Sequence, residues 1–208
     1  MNLTEIYKAY RKVGKNLNHK IMNACLERDV IMECAKLLGI SHGTKLIFES
    51  EDESSVLMDF ALNDYKVDNK NTVEIYRERI GGKGKIEEEI LDALIASNTS
   101  LFKVSSISAR EHLVFLESLL TKMSLPLMDI TFSETAVPGM LFFTRVIQLK
   151  DFNMTSGVSF AFPGNLEKYI LRRYEVLSRK VPSNNPSVRR FVAFYKLNKS
   201  KDIDVRYV

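Results

Sequence analysis

Leu3, Ile6, Tyr7, Tyr10, Val13, Leu17, Ile21 and Cys25 recur every three or four positions. That spacing lines one face of a long helix. Lys8, Arg11, Lys12, Lys15 and Lys20 fall largely off that face. Val30, Ile31, Cys34, Leu37 and Leu38 continue the pattern, and Gly39 is placed to end it. The two helices are expected to pack as a hairpin. A third helix is predicted after Ser50, which would cap it while Glu53 reaches back, ahead of Val56, Leu57, Phe60 and Ala61. The helical period resumes from Thr72 to Ile80 and, after a flexible link, from Lys85 to Ser97.

At Leu101 the period shortens. LFKVSSIS, HLVFLESLL, PLMDITFS, GMLFFTRVIQL and SGVSFAFPG are apolar or alternating runs separated by turn residues. Five such runs predict a small antiparallel sheet, curled or partly closed and barrel-like, so that its edges are covered. Pro138-Gly139 is the clearest turn, and Thr155-Ser156-Gly157 reads as the turn into the last strand. Helices then follow over Leu166 to Arg179 and Val188 to Leu197, with KDIDVRYV as a tail or an extra edge strand. The expected fold class is α+β. A helical region (1–98), a β-rich module (99–163) and a basic helical C-terminal region (164–208) together form one compact unit.

Composition narrows the function classes. Gly139-Met140-Leu141-Phe142-Phe143 is typical of the longest apolar runs, far below the roughly 20 residues of a membrane span. The N-terminal segment lacks an apolar secretory core, and two cysteines make no disulfide framework. A cytoplasmic protein with reduced thiols is expected. From Gly164 to Val208 there are eleven Lys and Arg against four acids, whereas acids outnumber bases in the rest of the chain. The tail is basic and the body is not.

One stretch resembles a known pattern. LMDFALNDYKVDNKNTVEIY, followed by SLFKVSSIS and PGMLFFTRVIQL, is similar to uncharacterised bacterial proteins. In those, a helix rich in aromatic and acidic residues precedes a small β-rich module, and many carry a SEC-C zinc tail. Asp59, Phe60, Asp64, Tyr65, Phe102, Val104, Gly139 and Arg145 carry the likeness, which spans Phe48 to Pro163. The resemblance implies a shared architecture. It does not bring the zinc, because no cysteine follows Cys34.

Motif chemistry is sparse. Gly157-Val158-Ser159-Phe160-Ala161 has the first glycine of a nucleophile elbow, but alanine stands where the second belongs. His19, Cys25, Cys34 and His42 are the right atom types for zinc at the wrong spacing. Glu49, Glu51, Asp52, Glu53, Asp59 and Asp64 could hold magnesium, although most suit a solvated helix start. Gly81-Gly82-Lys83-Gly84-Lys85 lacks the hydroxyl residue of a P-loop and reads as a linker. Asp59 could pair with Arg145, and a hydrolase-type site would add the Thr155 and Ser156 hydroxyls. No catalytic, metal or cofactor set follows from any of these.

The basic tail carries the strongest chemistry. Arg172, Arg173, Arg179, Lys180, Arg189 and Arg190 lie among Tyr169, Tyr174, Phe191, Phe194 and Tyr195. Cations neutralise phosphates and rings stack on bases, which suits nucleic acid. The same aromatics sit at the spacing of a core stripe. The leading expectation is therefore a non-enzymatic binding or adaptor protein, its partner another protein or a second copy of itself. Nucleic acid bound by the C-terminal helices is the alternative, and an enzyme with a site near Asp59 and Arg145 is a second one.

Overall fold

The computed structural model describes residues 2–200, so KDIDVRYV and its two expected conformations lie outside the described residues. The chain divides into two compact units, Met1–Ser97 and Asn98–Val208. The β-rich segment and the helices that follow it fall in the same unit.

The first unit is built on α1 (Leu3–Cys25), α2 (Arg28–Leu38), α3 (Asp52–Asn63), α4 (Thr72–Arg79) and α5 (Lys85–Ala96), with a short hairpin of β1 (Ser41–His42) and β2 (Lys45–Leu46). Tyr7, Leu17 and Ile21 bury the inner stripe of α1. Gly39 ends α2 in the left-handed conformation, its N–H bonded to the Ala35 and Lys36 carbonyls. Two expectations change. The principal partners of α1 are α4 and α5, and α2 packs on α3 in place of a hairpin with α1. The box at Ser50 does not form either. The helix starts at Asp52 without a side-chain cap, and Glu53 accepts from the Glu49 N–H at 2.5 Å. Reciprocal capping boxes occur instead at Asn2 with Glu5 and at Asn71 with Glu74.

α3 is buried through Leu57, Phe60, Ala61 and Leu62. Its end is tied to the start of α4 by polar groups. Asn71 donates to the Asn63 carbonyl at 2.8 Å, and Thr72 donates to the Ala61 carbonyl at 3.2 Å. These bonds satisfy carbonyls that a helix terminus leaves open.

In the second unit β3 (Thr99–Ser108), β4 (Leu113–Ser118), β5 (Ser124–Met128), β6 (Leu141–Gln148) and β7 (Asn153–Phe162) form one antiparallel sheet in the order β5-β4-β3-β6-β7. The protein is α+β. No ladder joins β5 to β7 among the described residues, so the sheet is not a closed barrel. The two edge strands nevertheless meet at one point, where Asn153 donates to the Pro126 carbonyl at 2.7 Å. Two register irregularities interrupt the ladders, one at Val104/Ser106 and one where Thr144 and Val146 pair with Ser159 and Thr155. Bulges of this kind bend strands and increase twist.

The second irregularity changes the account of Thr155-Ser156-Gly157. Thr155 at its start and Ser159 just beyond it are both paired with β6, and Gly157 adopts φ 117° within the strand. The residues form a bulge in β7, and the strand begins at Asn153. The segment PLMDITFS changes too. Its first half is strand, but Asp129 accepts from the Phe132 N–H at 2.9 Å and starts α6 (Ile130–Thr135). An Asp cap satisfies an orphan donor and lets a helix begin in a β-rich sequence.

Each face of the sheet has its own core. Phe102, Val104, Val114, Leu116, Leu127, Phe142 and Val146 line one face, where Phe132 of α6 stacks on Phe142 with centroids 4.0 Å apart. On the other face Phe143 meets Phe160 and Phe194 at 5.7 Å and 4.3 Å. Phe194 belongs to α8 (Pro186–Asn198), which is buried continuously from Phe191 to Tyr195. A helix apolar on nearly all sides must be enclosed. α7 (Glu167–Lys180) encloses it, with Tyr174 stacked on Phe194 at 4.7 Å.

Candidate functional site

Side chains alternate between the faces of a strand, and register partners share a face. Arg145 pairs with Thr99, and Phe143 two residues away pairs with Leu101, so Arg145 lies on the face that α8 covers. Thr155 pairs with Val146, which belongs to the opposite core. The register therefore sends Arg145 and Thr155 to opposite faces of the sheet. Ser156 sits in the bulge, its hydroxyl buried without a hydrogen-bond partner among the described residues. Asp59 is part of α3 in the first unit, where its backbone carbonyl accepts from Asn63 at 3.0 Å.

Arg145 is 2% exposed. Beside its register partner, Arg190 of α8 donates Nε to the Thr99 hydroxyl at 3.2 Å. Thr99 thus stands in register beside a strand arginine and accepts from a helix arginine, an arrangement with no local signature in the sequence.

The glycine-rich link has its own occupants. The Gly82 and Lys83 N–H groups donate to the Glu88 and Glu87 carboxylates at 2.9 and 2.8 Å. Carboxylates of this chain take the donors that a phosphate loop would offer a ligand. Among the described residues no group of three or more His, Cys, Asp or Glu gathers to hold a metal ion, and no helix is long and apolar enough to cross a membrane.

The six basic candidates divide into two sets. Arg189 and Arg190 are half-buried on α8. Arg172, Arg173, Arg179 and Lys180 are exposed on α7, as is Lys168. Ile170 is buried on the inner side of α7 beside the half-buried Tyr174. Helical spacing turns the five cations outward, around the exposed Tyr169 and Val176. Glu175 is the exposed acid of this face; Glu167 is bound to Lys103 at 2.9 Å. None of the five cations forms an ion pair among the described residues. Lys20, Lys36, Lys66, Lys70 and Arg77 of the first unit all do. Phe191, Phe194 and Tyr195 belong to the core, which leaves Tyr169 as the exposed ring of α7 and α8.

No curated protein and no solved structure matches this chain. A family does, described as a family of unknown function (DUF7986) and matching residues 1–208. By that match over its whole length, the chain belongs to the DUF7986 family.

Proposed function

We propose that the protein is a non-enzymatic binding protein that holds nucleic acid along the outer face of α7. The observation that carries this is the row of five unpaired cations from Lys168 to Lys180, opposed by Glu175. The row spans roughly 18 Å at the helical rise. One strand of a duplex carries one phosphate per roughly 3.4 Å of helix axis, so a length of axis equal to the row holds about five of them. The register that sends Arg145 and Thr155 to opposite faces of the sheet supports a binding role over a hydrolase-type one. The free thiols of Cys25 and Cys34 suit a reducing cytoplasm.

Fluorescence anisotropy with labelled single-stranded and duplex oligonucleotides over a salt series tests the proposal. Full engagement of the face gives a log–log salt slope of about −4.5 on duplex, and Arg172→Ala with Arg179→Ala lowers its magnitude by about 2. Lys36→Ala, which removes a paired cation, leaves the slope unchanged. Absence of binding at low salt, or a slope indifferent to the α7 substitutions, overturns the proposal.

A further inference from the structure

The first unit contains a cavity of 420 Å³ that the nucleic-acid proposal does not use. Its walls come from three separate segments: the junction of α1 and α2, the turn between α3 and α4, and the outer side of α4. Cys25, Val30, Tyr65 and Ile75 are its half-buried lining, and Glu27, Asp68 and Arg79 are exposed parts of its rim. Burial pushes the Cys25 thiol above its ordinary range, with the nearby Arg79 guanidinium pulling the other way. The thiol is therefore neutral near pH 7 and serves as a soft apolar wall.

The rim is selective in its charge. Lys70 and Glu78 neutralise each other in an ion pair at 2.6 Å. Glu27, Asp68 and Arg79 form no ion pair among the described residues. Asp68 is presented by a tight turn, with Asp68 and Asn69 at φ 50° and 66° between the bridged Val67 and Lys70. Two exposed carboxylates at the rim disfavour a simple anion. The guanidinium disfavours a simple cation, and its planar fork matches a carboxylate. A largely polar lining with rim charges of both signs, and an apolar patch of Cys25, Val30 and Ile75, fits a ligand that carries both charges beside an apolar group.

We propose that this cavity binds a small zwitterion with an apolar side chain, an α-amino acid of the leucine type. Its carboxylate meets Arg79, its ammonium meets Glu27 and Asp68, and its side chain enters among Val30, Ile75 and Cys25. The proposal is independent of the α7 face.

Isothermal titration of the full chain with L-leucine tests it, beside isocaproate, which lacks the ammonium, and isoamylamine, which lacks the carboxylate. L-leucine binds, and each analogue binds at least about tenfold more weakly, as does L-leucine to Arg79→Gln or to Glu27→Gln with Asp68→Asn. Those side chains are exposed, so circular dichroism of the variants matches the parent. L-leucine also slows alkylation of Cys25. No heat at millimolar L-leucine overturns the proposal. So does equal binding of either analogue, unchanged affinity in both variants, or Cys25 alkylation indifferent to L-leucine.

Discussion

Gly164 and Gly139 stand against each other, and substituting each with alanine separates two physical costs. A Cβ on Gly164 would lie 2.1 Å from the Gly139 carbonyl oxygen and 2.8 Å from its carbon. A carbon–oxygen contact normally sits at roughly 3.3 Å, so the two backbones must part by about 1.2 Å. The obstacle is main chain, which cannot swing aside as a side chain would. Overpacking of this kind costs about 3 kcal/mol, the upper end of its usual range. Gly139 has the opposite problem. Nothing lies within 4 Å of its Cβ position, but its φ is 88°. Alanine there fits the space and costs about 1 kcal/mol of left-handed strain. Urea denaturation followed by circular dichroism compares Gly164→Ala with Gly139→Ala against the parent. A Gly164→Ala loss equal to or smaller than the Gly139→Ala loss would refute the close approach of the two loops.

Phe194→Ala should destabilise the second unit by about 3–5 kcal/mol, because a fully buried ring leaves a cavity. Phe115→Ala, at a ring 37% exposed, should cost well under half as much in the same denaturation experiment. Burial first, then the Asp64 and Glu33 carboxylates, pushes the Cys34 thiol above its ordinary range. Iodoacetamide with mass spectrometry should therefore leave Cys34 unlabelled in the native protein and label it in urea. Labelling of Cys34 as fast as Cys25 under native conditions would contradict its burial. The Glu87 carboxyl is held below its ordinary value of 4.5 by the Lys20 hydrogen bond and then by the Lys83 N–H. Its ionised form stabilises the fold above pH 4.5, and that contribution disappears as pH falls through the lowered folded value. Glu87→Gln should thus lose less stability than the parent on acidification below pH 4.5, and parallel curves would show that the pair contributes nothing.

Helices were legible in the sequence wherever apolar residues kept one period. The stripe from Leu3 to Cys25 gives α1 to the residue, because a helix has one buried face and the pattern records it. Partners were less legible. Nothing local reveals that α1 packs against α4 and α5, since that choice is made by surfaces distant in sequence. Ile130, Thr131 and Phe132 read as strand by side-chain preference, but the Asp129 cap and the place of Phe132 against Phe142 override it. At Thr155-Ser156-Gly157 the residues of a turn and of a bulge are the same, and only pairing on both sides distinguishes them. The α7 cations were visible as residues, whereas their unpaired state needed the positions of every acid. Glu27 and Arg79 left no motif, because separate segments bring them to one cavity.

The enclosure of α8 has a temporal consequence. Phe143 and Phe160 are made before the ring of Phe194 that they pack against. Translation at about 5–20 residues per second takes roughly 2–7 s to cross the interval from Phe160 to Phe194. During that time the sheet hydrogen bonds are available but one aromatic face has no cover. The nascent chain therefore passes through a sticky stage, which ends when α8 docks on that face.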